Sequence, residues 1–260
     1  MNTNVRPLKK KLLLWAIVPL LLVSQFSHAG LAEFERLYGQ FLLTYWHPTV
    51  AIHGVNTTVF DYAQMKHDAE IPGSLFERTL EAIERVQPDR LRSPNETKAF
   101  WINAYNFSAM RLVIDHYPVE SIRSLSISLI KYPWSKKVLQ IGGSHFSLKQ
   151  IEKDILLKRF NDPRIVFAVS CAAVSCPDRI AQPFTARQLD EQLDEMISTF
   201  FRNPGKGLRL DRNRGILTLS WILEKDMRLF EDRPMGVLGF VLPYLERENR
   251  EWLENNPVDI

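Results

Sequence analysis

One stretch of the chain constrains its fold more than any other. Residues 96–116 follow the helix-start pattern Ser93-Pro94 and end before Pro118, so they are predicted to form the longest helix. Apolar side chains lie on two different sides of this helix: Phe100, Ala104, Phe107 and Ile114 on one, and Trp101, Tyr105, Ala109 and Leu112 on another. A helix that is apolar on nearly all sides is normally buried, so we expect this one in the core.

Shorter helices and strands are predicted on both sides of this buried helix. Apolar spacing, capping patterns and turn residues predict helices over residues 31–45, 74–85, 148–158, 185–201, 221–230 and 236–252. Strands are predicted over residues 57–62, 138–141 and 165–170, and a hairpin over residues 208–210 and 216–219. The uninterrupted apolar run 165–170 is typical of a central strand. No linker separates these elements, so we expect a single α+β domain, mainly helical, around a small β-sheet.

The N-terminus has the three parts of a cleavable secretory signal. Basic residues at positions 6 and 9–11 precede an apolar run over residues 12–23. In Ser27-His28-Ala29, the first and third residues are small, as signal peptidase requires at these two positions. The apolar run is too short for the roughly 20 residues that span a bilayer. An uncleaved anchor is the alternative. We expect a signal peptide over residues 1–29, a globular domain over residues 30–260, and a periplasmic or secreted protein.

Removal of the signal changes the charge balance and therefore the expected partners. The chain holds 33 basic and 30 acidic residues, and residues 1–29 contain four of the basic ones and none of the acidic ones, so the remainder carries a net charge of about −1. No basic stripe interleaved with aromatic residues is visible, so we expect no nucleic-acid binding. No later segment is apolar enough to cross a membrane, so no stable membrane span is expected after cleavage.

Three polar residues sit in the middle of the buried helix, where an unpaired amide costs roughly 1–3 kcal/mol. Asn103 and Asn106 lie three residues apart, on adjoining parts of one helix surface, with Tyr105 between them. One interpretation is that both amides hold neighbouring loop backbone. The other is that one of them faces a pocket and orients a ligand or a catalytic group.

Cys171 and Cys176 are the two cysteines of the chain, and they directly follow the apolar run 165–170. In an oxidising compartment such a pair indicates one disulfide bond. Closing this short loop contributes roughly 2 kcal/mol by chain entropy. A nucleophilic thiol is the first alternative, since a thiolate forms beside a positive charge or a helix N-terminus. Two inert thiols are the second alternative, because the spacing permits a disulfide without requiring it.

His145 follows a Gly-Gly turn and precedes a capped helix, close in sequence to the cysteine-bearing segment. A thiol or hydroxyl nucleophile needs a base, and His145 is the candidate for that role. A surface or loop-pinning histidine is the alternative. A weaker hypothesis combines His145 with carboxylates in a metal site. No histidine pair with ligand spacing lies near the cysteines, so no metal and no other cofactor is expected.

At these same residues the chain resembles a known family, the domain of unknown function 547. The similarity lies in AFWINAYN (99–106), YPVESI (117–122), SLKQIEKDIL (147–156) and DPRIVFAVSCAAVSCPD (162–178), and weaker similarity extends the core over about residues 41–230. The WINAYN and SCP segments in this order are specific. The resemblance implies no particular reaction, because the family name records that none was assigned. Bacterial members are often exported.

The resemblance implies that seven residues of this chain match positions of the family pattern: Asn103, Tyr105, Asn106, Cys171, Ser175, Cys176 and Pro177. The asparagines, the tyrosine and the serine are the candidate binding residues, and the two cysteines with His145 are the candidate catalytic ones. Family members usually have a histidine where this chain has Val166. If that histidine is the base for a cysteine, His145 replaces it here or the site is inactive.

Two functions remain open from the sequence. The first is a non-catalytic periplasmic binding or assembly factor with both cysteines joined, which the expected compartment and Val166 favour. The second is a thiol-dependent hydrolase or transferase acting on a peptide, a glycan or a small amide. In that case Cys171 or Cys176 attacks, His145 serves as base, and an asparagine orients the base or holds the oxyanion. The expected partner is a small molecule, a glycan or an envelope protein.

Overall fold

The computed structural model describes residues 14–260 apart from residues 120, 125 and 128–132, with side chains from residue 29 onward. The predicted signal peptide, residues 1–29, therefore lies largely outside the described residues, and its cleavage stays a prediction. None of the described helices combines the length and the apolar character needed to cross a bilayer.

Helices dominate the structure and make up 53% of it, which confirms the predicted mainly helical α+β class. The helices are α1 Leu14–Tyr45, α2 Tyr62–Ala69, α3 Leu75–Arg85, α4 Pro94–Ile114, α5 Lys158–Phe160, α6 Ile165–Ala168, α7 Leu189–Arg202, α8 Trp221–Lys225, α9 Gly236–Val241 and α10 Arg247–Asn255. A π-helix over Gln150–Leu157 runs directly into α5. The buried apolar side chains of these elements form one continuous cluster.

The strands pair as antiparallel hairpins, and each sheet within the described residues has two strands. They are β1 Trp46–Ile52 with β2 Val55–Phe60, β3 Lys137–Ile141 with β4 Ser144–Ser147, and β5 Leu208–Asp211 with β6 Ile216–Leu219. The hairpin β5–β6 is the one predicted over residues 208–210 and 216–219. The small β component is therefore divided among separate hairpins at the edge of the helical core.

The helix α4 is the central element of the core, as its apolar character predicted. The hydroxyl of Ser93 accepts a hydrogen bond from the backbone N–H of Glu96 at 3.1 Å and caps its first turn. Every residue from 99 to 110 is buried. The ring of Phe107 contacts Tyr38 and Phe41 of α1 with centroid distances of 6.0 and 5.5 Å. These edge-to-face aromatic contacts join α4 to α1.

The prediction of a central strand over residues 165–170 is wrong. Residues Ile165–Ala168 form the short helix α6, and only the following Val169 is extended. The side chain of Asp162 accepts from the backbone N–H of Arg164 at 3.1 Å, so the turn at Pro163 continues into a helical turn. A fully buried apolar run has the same pattern in a strand and in a helix, and here the chain lies beside α7 instead of beside another strand.

The capping patterns Ser147–Gln150 and Thr185–Gln188, which predicted the starts of the helices over residues 148–158 and 185–201, have different outcomes. Ser147 and Gln150 make the reciprocal pair of side-chain to backbone hydrogen bonds, at 3.1 and 3.2 Å, although the turn that follows is a π-helix. The backbone N–H of Thr185 instead donates to the side chain of Gln192 at 3.0 Å, and α7 begins only at residue 189. Spacing alone did not distinguish a capping box from a loop bonded to the helix interior.

The predicted C-terminal helices, residues 221–230 and 236–252, are also shorter than expected. The helix α8 is five residues long and a 3₁₀ turn follows it, and α9 is separated from α10 by a second 3₁₀ turn at Pro243. The proline has no N–H to continue a helical ladder, which accounts for the second break.

Two buried carboxamides of α4 hold both ends of the segment 168–184, which we call the clamped segment. Asn106 donates to the carbonyl oxygen of Ala168 at 2.8 Å and accepts from the N–H of Ser170 at 2.9 Å. Asn103 donates to the carbonyl oxygen of Phe184 at 2.8 Å and accepts from the N–H of the same residue at 2.9 Å. Both amides therefore bond loop backbone.

We expect Asn103→Ala and Asn106→Ala each to lower the free energy of unfolding substantially. Each substitution leaves a backbone N–H and a backbone C=O unpaired, at a cost of about 1–3 kcal/mol for each buried group. Urea unfolding followed by circular dichroism measures the loss. The control Asn213→Ala lies on the exposed β5–β6 turn and should change stability by less than about 0.5 kcal/mol. Equal small losses in all three variants would contradict the clamp.

Candidate functional site

The two cysteines form a disulfide bond, as predicted, and close the loop Cys171–Cys176, which we call the disulfide loop. Cys176 is buried, and Ala172 inside the loop has a φ of 59°, a left-handed conformation that is uncommon for alanine. The loop lies within the clamped segment, directly after the backbone that Asn106 holds. A joined pair of sulfurs carries no thiolate, so this state of the protein has no cysteine nucleophile.

A cavity of about 230 Å³, the loop cavity, lies between the disulfide loop and the hairpin β1–β2. One wall is formed by residues 172–174 of the loop. The other wall is formed by strand β2, from Thr57 to Phe60, together with Tyr62. Asp178 and Arg179 also border it, three residues or fewer beyond the second cysteine. The disulfide therefore shapes one side of an open cleft whose charged groups come from the residues that follow it.

The guanidinium of Arg179 is the most unusual group at this cavity. The residue is only 8% exposed, and its Nη atoms donate to the hydroxyl of Tyr62 at 3.1 Å and to the carbonyl oxygen of Ser170 at 2.7 Å. Its Cζ lies 5.9 Å from the ring centre of Phe60. The buried Nε–H has no hydrogen-bond partner in the described part of the chain. No described carboxylate lies within 4.0 Å, so the charge is held by neutral groups.

A second buried cation, Lys206, has the opposite environment. Its ammonium group donates to Asp178 at 2.6 Å, to the hydroxyl of Thr57 at 2.8 Å and to the carbonyl oxygen of Cys176 at 3.2 Å. The same oxygen of Asp178 also accepts from the backbone N–H of Thr58 at 2.9 Å. Lys206 is therefore fully paired, and this ion pair ties the disulfide loop to strand β2.

The position of Lys206 depends on the glycine that follows it. A Cβ atom at Gly207 would lie 2.3 Å from the carbonyl oxygen of Phe200, so the chain can approach α7 this closely only with glycine there. The close approach brings the lysine side chain, which is 1% exposed, into the interior.

A larger cavity of about 500 Å³, the apolar cavity, adjoins the loop cavity on the other side of Arg179. The two cavities share Thr58, Asp178 and Arg179 as lining residues. The remaining walls of the apolar cavity come from the end of α1, the start of β1, residues 180–182 and the outer face of α7. A single guanidinium therefore borders both spaces.

The other predicted site residues lie away from these two cavities. His145 is exposed on β4, and its carbonyl oxygen accepts from the Lys137 ammonium group at 3.0 Å. Ser175 is exposed on the disulfide loop, and Val166 is buried in α6. None of these three is among the residues that line the loop cavity or the apolar cavity. Their predicted roles in binding or catalysis stay predictions.

Tyr105 is buried in α4 on the side of the π-helix. Its hydroxyl lies 3.5 Å from a carboxylate oxygen of Glu152, which is itself 5% exposed and pairs with Lys225 at 2.8 Å. Burial, and then the neighbouring carboxylate, raise the pKa of the Tyr105 hydroxyl well above its usual value. The phenol is therefore neutral near pH 7. Within the described residues, no group of three or more histidine, cysteine or acidic side chains is placed to hold a metal ion.

Sequence reasoning missed the charged residues of the site: Asp178, Arg179 and Lys206. A partial signal existed for each of them. Asp178 and Arg179 directly follow the Ser-Cys-Pro motif, and Lys206 stands between two glycines at a predicted turn. A lone lysine or arginine in a loop is normally exposed. Only the tertiary contacts therefore identify Arg179 and Lys206 as buried.

We expect Lys206→Met to lower the free energy of unfolding by about 3–5 kcal/mol, because removal of one partner leaves a partly buried carboxylate without its counter-ion. Urea unfolding measures this. The control Lys66→Met removes one partner of an exposed helical pair with Glu70, at 3.2 Å, and should cost about 1 kcal/mol or less. A loss at Lys206 no larger than that of the control would show that the buried pair does not hold the disulfide loop.

Comparison with known proteins connects this site to a family. No curated protein and no solved structure matches the chain. Residues 88–201 match the family model described as "Protein of unknown function, DUF547". The matched segment includes α4 with both clamping asparagines, the disulfide loop and Arg179, whereas strand β2 and Lys206 lie outside it. The resemblance found in the sequence is thereby confirmed over residues 88–201, the part of the chain that matches the domain of unknown function 547 family.

Proposed function

We propose that this protein is an exported, non-catalytic binding factor whose cleft beside the disulfide loop takes an anionic group of a small molecule or envelope component. One observation carries the proposal. Arg179 is a buried cation with no carboxylate within ion-pairing distance in the described residues, and it borders an open cavity with one N–H unpaired.

The energetics of a buried guanidinium support an anionic ligand. Desolvation of an ion costs several kcal/mol unless an opposite charge and good hydrogen bonds offset it. The phenol of Tyr62 and the carbonyl oxygen of Ser170 supply two hydrogen bonds and no negative charge. A guanidinium carries five N–H donors in a planar fork that fits a carboxylate or a phosphate. A bound anion would neutralise the charge.

The disulfide supports the proposed location outside the cytoplasm. Disulfides form and persist in oxidising compartments and are rare where glutathione keeps thiols reduced. Cys171 and Cys176 are the two cysteines of the chain, and they are joined. Together with the N-terminal signal pattern, this bond favours a periplasmic or secreted protein.

The alternative, a thiol-dependent hydrolase or transferase, is not favoured by the geometry. It requires a free thiolate beside a base, whereas both sulfurs are joined. The proposed base, His145, is exposed on another hairpin and does not line the loop cavity. The carboxylate of Asp178 is occupied by Lys206 and Thr57. The groups at the cleft are therefore suited to hold an anion and supply no thiolate.

We expect acetate or inorganic phosphate to raise the melting temperature of the protein through Arg179. A ligand that binds only the folded state stabilises it by about 2.7 kcal/mol at a concentration 100 times its Kd. Thermal unfolding at constant ionic strength measures the shift. Arg179→Gln should abolish it, and Arg85→Gln, on an exposed helical pair, should retain it. Shifts of equal size in all three proteins would argue against an anion site at Arg179.

We also expect the purified extracellular or periplasmic protein to start at Gly30 and to contain no free thiol before reduction. Intact-mass analysis with an alkylating reagent, with and without reductant, measures both properties in one experiment. A protein that begins at Met1 would refute export. An alkylatable thiol in the unreduced protein would revive the hydrolase alternative.

A further inference from the structure

The walls of the apolar cavity indicate which chemical group the ligand has in addition to its anionic group. Its apolar lining residues include Leu43, Ile180, Met196 and Phe200. Leu43, near the end of α1, is 68% exposed. The volume of about 500 Å³ lies within the range of small-molecule sites, roughly 300–1,000 Å³. The cavity is therefore shaped for a hydrocarbon group that is longer than the anionic group itself.

The two unpaired buried side-chain donors of the described residues belong to residues that line this cavity. One is the Nε–H of Arg179 and the other is the Nε1–H of Trp46. Buried polar groups normally have a hydrogen-bond partner, and an unpaired one costs about 1–3 kcal/mol. Both groups are donors, so the group that satisfies them is an acceptor. A carboxylate has two acceptor oxygens and can therefore accept from more than one donor.

The charges around the cavity favour a single negative charge on the ligand. Its two acidic lining residues are already paired, since Asp178 accepts from Lys206 at 2.6 Å and Glu195 accepts from Arg202 at 2.9 Å. Among the described lining residues, Arg179 is then the cation without a carboxylate. One guanidinium neutralises one carboxylate, whereas a phosphate dianion would remain half unpaired.

From these observations we infer that the ligand is an amphipathic monocarboxylate, with its carboxylate at Arg179 and its hydrocarbon chain in the apolar cavity. This inference rests on the proposed anion-binding function and adds the chemical class of the ligand. The carboxylate enters where the two cavities meet. The chain then lies between the end of α1 and the outer face of α7, against Met196 and Phe200.

A chain-length series tests the inference directly. Isothermal titration with acetate, butanoate, hexanoate, octanoate and decanoate, each below its aggregation concentration, gives the affinity for each length. Burial of one methylene is worth about 0.8 kcal/mol, so affinity should rise by up to about fourfold for each added methylene until the cavity is full. The alcohol 1-octanol should bind at least about tenfold more weakly than octanoate, because it lacks the charge.

Two variants separate the wall of the cavity from its charged end. Thr199 is exposed on α7 and lines the apolar cavity, so Thr199→Trp should fill the cavity with little effect on folding. It should remove the chain-length dependence and leave acetate binding intact. The matched control Glu191→Trp, exposed on the same helix away from the cavity, should behave as wild type. Trp46→Phe, which lacks the indole N–H, should weaken octanoate binding about tenfold.

The outcomes distinguish this inference from the function on which it rests. Acetate binding that depends on Arg179, with affinity independent of chain length, would refute the hydrocarbon chain and preserve the anion site. Absence of all carboxylate binding would refute both. Equal affinity for octanoate and 1-octanol would show nonspecific hydrophobic binding without recognition of the charge. This outcome would also refute the inference. If Thr199→Trp fails to fold, Ala181→Phe on the opposite wall provides the same test.

Discussion

The structure depends on two carboxamides inside a helix that otherwise buries apolar side chains. Asn103 and Asn106 each offer one donor and one acceptor, and each pair matches the C=O and N–H groups of loop backbone at the ends of the clamped segment. A loop of 17 residues between 168 and 184 cannot satisfy its own backbone groups in the core. The two amides do so, and they also set where the disulfide loop and Arg179 lie relative to the core.

Two buried cations stand on either side of the disulfide loop, and they differ in how they are neutralised. Lys206 has a carboxylate, a hydroxyl and a carbonyl oxygen around one ammonium group, so its charge is balanced within the protein and ties elements together. Arg179 has neutral oxygen acceptors and a neighbouring aromatic ring, and one N–H is left over. A protein gains stability from the first arrangement. The second costs stability unless an anion binds, and for that reason we propose Arg179 as the anion-binding group of the cleft.

Sequence reasoning succeeded where the decisive contacts are local and failed where they are distant. The helix α4, the capping box at Ser147 and the hairpin β5–β6 each depend on spacing within a few residues. The run 165–170 was wrongly predicted as a strand. An apolar stretch that is buried on every side has no hydrophobic periodicity, so its sequence does not distinguish a helix from a strand. The burial of Arg179 was not predicted from the sequence, because it results from contacts with Tyr62 and Phe60, more than 100 positions away in the chain.

The sequence by itself determined a mainly helical domain, a core built on α4, the resemblance to a family and the chemical possibility of a disulfide. These properties follow from side-chain type and spacing along one segment at a time. Only the tertiary structure decided which sulfur state is present, which loop the asparagines hold and which buried cation has no carboxylate partner among the described residues. The physical reason is that pairing and burial depend on distances between segments far apart in the chain, and neither composition nor periodicity contains those distances.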